Sequence, residues 1–332
     1  MVGVRSSELI DSQKGVMISH RNVISNVLQI STFEHQHRAS KKRPGDRYPP
    51  PEIVLGLLPQ SHIYSLVVIC HTATYRGDQV VTLPKFEMGH LLSAIQRFKI
   101  NTLFLVPPII IGMANNSKIL AKFDLSSVSQ IFTGAAPLGA ETAEALEKEH
   151  PSWKIRQGYG LTETSTVVLS TPVHDIWYGT CGSLIPSCQA KIMSPDGKEI
   201  TEYDTPGELV VHSPSVMMGY LNNKKANEET FVDGWMRTGD EAVVRRAPSG
   251  NEHFVIVDRI KELIKVKVRI KRFAGSTCRS LTCHRPTKSH PQSWKRIYSP
   301  MTLLQIAASS QSPTHQPESV RKLTLSNLNQ WA

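Results

Sequence analysis

Six short runs of this chain set groups that hold anions or metal ions beside glycine and other small residues. In chain order they are Ser12-Gln-Lys-Gly-Val-Met-Ile-Ser-His-Arg-Asn22, Leu58-Pro-Gln-Ser-His-Ile-Tyr-Ser65, Thr133-Gly-Ala-Ala-Pro-Leu138, Gln157-Gly-Tyr-Gly-Leu-Thr-Glu-Thr164, Gly234-Trp-Met-Arg-Thr-Gly-Asp240 and Val257-Asp-Arg-Ile-Lys-Glu-Leu-Ile-Lys265. Glycine-rich backbone approaches a phosphate closely, and a lysine adds a mobile positive charge. Each run alone also has a purely structural reading. Ser12 to Gly15 is equally a turn before a helix, and Glu163 a carboxylate complementing a helix N-terminus. His62 is equally a satisfied histidine beside an apolar run. His35 and His37 fall in a polar stretch and are expected to be exposed loop residues. Cys278, Cys283 and His284 have no second ligand pair at zinc-finger spacing, so no metal site is expected there.

The joint order of the six runs resembles the adenylate-forming superfamily of acyl-CoA ligases, peptide-synthetase adenylation domains and beetle luciferases. The His62-Ile-Tyr-Ser65 and Gly158-Tyr-Gly-Leu-Thr-Glu-Thr164 wording is most similar to 4-coumarate–CoA ligases, and the resemblance covers roughly residues 13 to 267. It implies an AMP-forming acid–CoA ligase that uses ATP and Mg²⁺, activates an aryl or fatty carboxylic acid as its adenylate, and passes it to CoA. Catalysis of that kind is positioning plus charge stabilisation. By resemblance, Lys14 sits at the end of the phosphate loop, and Gly134, Ala135 and Ala136 line the adenine pocket with Gln157 and Gly158. Thr162 contacts phosphate and Glu163 holds Mg²⁺ as a hard oxygen ligand. Asp240 accepts from the ribose hydroxyls, and Arg259 binds nucleotide. His62 and Tyr64 stand at the mouth of the acyl pocket, which Gly158 and Val167 line; the glycine leaves room for a planar ring and so favours an aryl acid. Lys261 matches the hinge of a rotating C-terminal domain, and Lys265 a lysine that contacts the adenylate.

The pattern then breaks. No glycine directly follows Lys267, no later Pro…Gly-Lys segment carries the small domain's lysine, and the glycines and threonines that precede Lys14 in the family are absent, with Ser6 and Ser7 no substitute. The expectation is a chain truncated at both ends by an altered reading frame or retained intron, with little or no CoA ligation. The alternatives are a non-catalytic nucleotide- or acyl-binding fragment, a peptide-synthetase module with no carrier domain following, and a luciferase-like oxygenase.

Positioning these residues requires a scaffold, and the pattern supplies an α/β one. Ile53 to Leu58, Gln79 to Leu83, Asn101 to Val106 and Ser129 to Thr133 read as buried strands bounded by turn residues. Gly89 to Phe98 and Ala140 to His150 carry apolar residues at helical spacing. Such alternation predicts a parallel sheet covered by helices on both faces. Glu34 to Pro51 reads as a solvated loop. From about Trp177 short strands such as Glu208 to His212 and His253 to Val257, with turns at Pro195-Asp-Gly197, Asp233-Gly234 and Ser249-Gly250, predict a small antiparallel β subdomain. The expected division is 1–176 for the α/β part, 177–267 for the β-rich part ending at the hinge, and 268–332 for a basic, disordered tail, the family's small C-terminal domain being absent. Asp240, Thr162, Glu163 and the Gly134–Ala136 turn should then meet in one cleft.

Composition narrows the function classes. Between Val266 and Ala332 the only acid is Glu318, against eleven lysines and arginines, so this stretch alone accounts for the net charge of +10. A basic tail on a neutral body, without an aromatic platform, is not a nucleic-acid-binding surface. The five scattered cysteines form no CxxC pair, which fits a reducing compartment. No secretory h-region or bilayer-length apolar run is seen, and family resemblance places the chain in the cytoplasm or peroxisome. The particular acid and the oligomeric state are not legible.

Overall fold

The apolar runs form the middle strands of an eight-stranded sheet. Ile53–Gly56 lies between Gln79–Thr82 and Thr102–Leu105, and Gln130–Thr133 and Lys154–Leu161 follow, all parallel. Thr166–Ser170 and Ser183–Leu184 then extend the sheet in antiparallel sense. This is a computed structural model; it describes residues 14–259 and, as backbone, the short strands Val2–Arg5 and Lys322–Leu323. These residues belong to one compact unit, and the second unit, Ile264–Ser319, lies outside the described residues.

Alternation along each strand divides the side chains between two layers. Leu55, Leu103, Leu105 and Ile131 face helices Met88–Phe98, Pro107–Ala114 and Ala140–Glu149, where they meet Leu92, Ile95, Ile110 and Leu146. Val54 and Phe104 face the other way, against Val27, Ile30, Val67 and Val68. Each such fully buried side chain stabilises the fold by about 1.5–3 kcal/mol. Pro107 and Pro108 open their helix at positions where the backbone N–H has no helical acceptor. The second layer is a 20-residue helix, His20–Ala39, and a π-helix, Ser65–Thr72, that continues into Ala73–Arg76. Ser19 caps the long helix reciprocally with Asn22.

That helix corrects one expectation. Glu34 to Ala39 is helical, and the loop begins only at Ser40. His35 is exposed on the helix and His37 half-buried rather than in a loop. Polarity misled because the inward face here is ionic: Arg38 is buried against Glu52 (3.0 Å) and Asp78 (2.6 Å), and Arg156 against Glu34 (2.5 Å).

The β-rich part is an antiparallel sheet in which Trp235–Arg246 pairs with Gly207–His212, Phe231–Val232 and Glu252–Arg259. Asp233 and Gly234 both take positive φ (51° and 81°), the two-residue hairpin turn read from the sequence. A third sheet pairs Gly15–Ile18 with Val2–Arg5 and with Gly219–Tyr220. Strands on either side of residue 176 therefore pair directly. Ser12, Lys261, Lys265, Cys278, Cys283 and His284 lie outside the described residues, as does the tail from 268 apart from the backbone strand Lys322–Leu323. Among the described residues no helix is long and apolar enough to cross a membrane.

Candidate active site

One run, Gln157 to Glu163, carries the strand Lys154–Leu161 into a single 3₁₀ turn, Thr162–Thr164, and three groups of side chains attach to it. Glycine is required along it by close approach. A Cβ on Gly160 would lie 1.3 Å from the carbonyl oxygen of Thr166, and one on Gly158 2.5 Å from Cζ of Phe132.

The first group surrounds the Gly134 turn. A Cβ on Gly134 would stand 3.5 Å from the Gly158 carbonyl oxygen and 3.8 Å from Tyr64 Cε1, so turn, strand and Tyr64 are neighbours. Ala135 holds φ at 68°, and both it and Ala136 are exposed, presenting small side chains where a flat ring can lie. Gln157 accepts from Leu138 N–H through Oε1 (2.7 Å) and donates to Thr180 O through Nε2 (3.3 Å). Its amide braces the turn. Tyr64 is buried and donates to the Phe132 carbonyl (2.9 Å), and burial pushes its phenol pKa well up. His62 accepts from Tyr64 N–H through Nδ1 (3.2 Å), and desolvation lowers its pKa from 6.5, leaving a neutral imidazole at pH 7. Val167 is buried, held by Asn26 at both its N–H (3.1 Å) and carbonyl (2.8 Å).

Asp240 anchors the second group. It is 4% exposed, accepts from Tyr159 Oη (2.6 Å), and lies opposite Arg259 in the strand pair, with Arg259 Nε 3.4 Å from its Oδ1. Burial and the adjacent Asp240 charge both push the Tyr159 phenol far up, so it stays a proton donor.

The third group joins residues from three distant places. Tyr220 donates to Glu163 Oε1 (2.9 Å), Met217 N–H donates to the Glu163 carbonyl (2.7 Å), and Lys14 Nζ stands 4.7 Å from the Tyr220 ring centroid. Pairing of Gly15–Ile18 with Gly219–Tyr220 makes this possible. Behind the turn, Ser165 (φ 54°) and Thr166 (φ 117°) hold sparsely populated conformations. Ser165 Oγ donates to Ser215 O (2.8 Å) and Thr166 Oγ1 to Ile63 O (3.0 Å), which fixes the turn against its neighbours.

The residues read from the sequence thus attach to one run at different points: the Gly134 turn, Tyr64 and His62 near Gly158, Asp240 and Arg259 at Tyr159, and Lys14 through Tyr220 at Glu163, with Thr162 on the run itself. Lys261 and Lys265 are outside the described residues. One expectation changes. The room over Gly158, read as space for a planar ring, is filled by the Phe132 ring. Sequence reasoning misses Tyr159, Tyr220 and Phe132: Tyr159 lies inside the Gln157–Thr164 run without a distinguishing neighbour, and Tyr220 carries no local signal beyond following Gly219.

A parallel sheet thus feeds a glycine-rich turn flanked by a buried aspartate and a lysine–tyrosine–glutamate group in an α/β protein. A profile of the AMP-binding enzyme family matches residues 12–221, and the chain belongs to that family. It is 44% identical over 267 residues to the acyl-CoA ligase AKT1 of Alternaria alternata, covering 79% of this chain and 44% of that protein. It is also 44% identical over 252 residues to the acyl-CoA ligase lcsD of Purpureocillium lilacinum, covering 76% of this chain and 63% of that one. The chain thus spans less than two thirds of the length of these relatives. The crystal structure of ATP-bound MatB from Rhodopseudomonas palustris shares the fold, with a TM-score of 0.67 at 24% identity over 79% of this chain and 48% of that one.

Proposed function

We propose that this site binds ATP and a carboxylic acid, joins them as an acyl-adenylate with release of pyrophosphate, and belongs to a protein that passes the acyl group to CoA. The observation that carries the reading is the attachment of three groups, from far-apart parts of the chain, to the run Gln157 to Glu163. The relatives named acyl-CoA ligases support the CoA step.

Placement supports each proposed role. The exposed small residues of the Gly134–Ala136 turn give adenine a flat face. Asp240, its oxygens set by Tyr159 and Arg259, accepts from the ribose hydroxyls. Thr162 and Lys14 hold phosphate oxygens, and a fixed positive charge near the α-phosphate stabilises charge that builds as the carboxylate attacks. His62 and Tyr64 border the carboxylate. Lys261 and Lys265 keep their hinge and adenylate roles by resemblance.

Mg²⁺ is tested by the donor set. No group of three or more His, Cys, Asp or Glu able to hold a metal occurs among the described residues. Glu163, half-buried and oriented by Tyr220 through Oε1 alone, suits an ion that takes one carboxylate and completes its shell with phosphate oxygens and water. When bound, that ion would neutralise phosphate charge.

The test is calorimetric titration of the full chain with ATP and Mg²⁺, followed by acid-dependent ATP–pyrophosphate exchange. Asp240→Ala removes a charged acceptor and should weaken ATP binding about 10- to 100-fold. Unchanged affinity in that variant, or no binding by the parent chain, would overturn the proposal.

A further inference from the structure

The stretch Pro214 to Leu221 holds the phosphate end of the site from behind. Its first half runs between two walls and alternates what it offers to each. The carbonyl oxygens of Pro214 and Val216 face Asn22, near the start of the long helix, and accept from its Nδ2 at 2.9 and 2.7 Å. The residues between them face the other way. Ser215 O accepts from Ser165 Oγ (2.8 Å), and Met217 N–H donates to Glu163 O (2.7 Å), so this face carries the turn that presents Glu163. The second half pairs with the strand that follows Lys14, through Met218 N–H to Met17 O (2.9 Å) and Leu221 N–H to Gly15 O (2.7 Å). Tyr220 lies there, with its phenol on Glu163 and its ring beside Lys14 Nζ.

Asn22 is 7% exposed, and its amide is filled at both ends. Oδ1 accepts from Ser19 N–H (2.9 Å) and Ser19 Oγ (2.7 Å), while Nδ2 donates to the two carbonyls. Ser19 comes directly after the strand Gly15–Ile18. The amide is therefore a strut. Its acceptor end is fixed beside the strand that follows Lys14, and its donor end grips the stretch that carries the Glu163 turn. Helix capping accounts for the acceptor end. It does not account for the donor end, because a cap needs no partner 192 or 194 residues away. Aspartate has the same shape and would keep the acceptor end, but it would set an oxygen against two carbonyls.

We infer that Asn22 is a positioning residue for the phosphate and Mg²⁺ end of the site, setting Lys14 and Glu163 in register by clamping Pro214 and Val216. Its side chain is taken up by these bonds, so it acts through the stretch and Tyr220 rather than on a ligand. The inference rests on the ATP-binding reading and adds the part that keeps a cation and a carboxylate from distant runs on one phosphate chain.

The test is calorimetric titration of the full chain with ATP over a range of Mg²⁺ concentrations, and with AMP without metal. Asn22→Asp weakens ATP binding in Mg²⁺ about tenfold, the scale set by buried acceptors left unmet, and raises the Mg²⁺ concentration of half-effect. AMP affinity stays constant. Ser165→Ala loosens the opposite face and moves the half-effect concentration the same way by a smaller factor. The double variant loses less than the product of the two factors, because both act through one stretch. A role confined to folding would lower the melting temperature and weaken ATP and AMP alike, with the Mg²⁺ dependence unmoved. That result overturns the inference, as does a double variant equal to the product of its singles. If Asn22→Asp does not fold, Ser165→Ala decides, and an unmoved Mg²⁺ dependence in it is the refutation. Parent-chain binding of ATP that ignores Mg²⁺ overturns the Glu163 assignment, whereas no binding of ATP overturns the nucleotide reading itself; the inference falls with either.

Discussion

Arg156→Leu should be among the most destabilising single substitutions in this chain. Side-chain exposure is 3% for Arg156 and 12% for Glu34, and Arg156 also satisfies Gln130 and the Thr171 carbonyl. Leucine therefore strands a buried carboxylate and two acceptors at once. Removing one partner of a buried pair costs about 3–5 kcal/mol, and at roughly 2–4 °C per kcal/mol in a chain of this size the melting temperature falls by about 6–20 °C. The double variant Arg156→Leu/Glu34→Leu removes both charges and recovers most of that loss, because the desolvation cost goes with them. Urea unfolding followed by circular dichroism at pH 7 gives all three free energies. Burial disfavours the Glu34 carboxylate, but the Arg156 charge and hydrogen bond outweigh it and hold its pKa below 4.5. Without Arg156 the burial cost stands largely alone and the pKa rises, so the single variant should regain stability on mild acidification while the parent does not. A single substitution costing under about 1 kcal/mol, or a double variant as unstable as the two singles summed, would refute the reasoning.

Further outcomes follow from the same geometry. Gly160→Ala forces a Cβ to within 1.3 Å of backbone and should cost well above the usual 1–3 kcal/mol of overpacking, read by thermal melting; a shift of under 2 °C would contradict it. Glu34 and Glu52 both titrate below 4.5 in the fold despite burial, through Arg156 and Arg38 respectively, so their contribution is full above pH 4.5 and is lost as pH falls below it. Asp78, raised by burial, opposes this weakly, and Glu34→Gln/Glu52→Gln should flatten the acid limb of a melting-temperature profile. Tyr220→Phe keeps the ring beneath Lys14 but frees Glu163, so affinity for ATP with Mg²⁺ should drop several-fold, about 1 kcal/mol, while AMP affinity without metal stays constant.

Much of the scaffold was legible because it is specified locally. Thr102–Leu105 is buried at every position, with Leu103, Phe104 and Leu105 a continuous apolar run, and Met88–Phe98 turns Leu91, Leu92, Ala94 and Ile95 inward at helical spacing. Asp233-Gly234 has the residues that a hairpin with two positive φ angles requires. The candidate site was legible as types and order: Gly134, Thr162, Glu163 and Asp240 were all named from their runs. The last turns of His20–Ala39 were not, since hydrophobic periodicity is blind to a helix face buried through Glu34 and Arg38. The π-helix after Tyr64 likewise has no local signature separating it from an α-helix.

Which residues carry charge, where the Asp233-Gly234 turn falls and which strands are buried were fixed by local sequence, because propensity and periodicity act over a few residues. Tertiary structure alone decided the partnerships. Lys14 meets Glu163 through Tyr220 only because strands at residues 15–18 and 219–220 pair. Asp240 is aimed by Tyr159 only because two sheets abut, and Phe132 claims the space above Gly158 only because neighbouring parallel strands set them side by side. Contacts between residues far apart in sequence are selected by the packing of the whole molecule, and no window of sequence contains both partners.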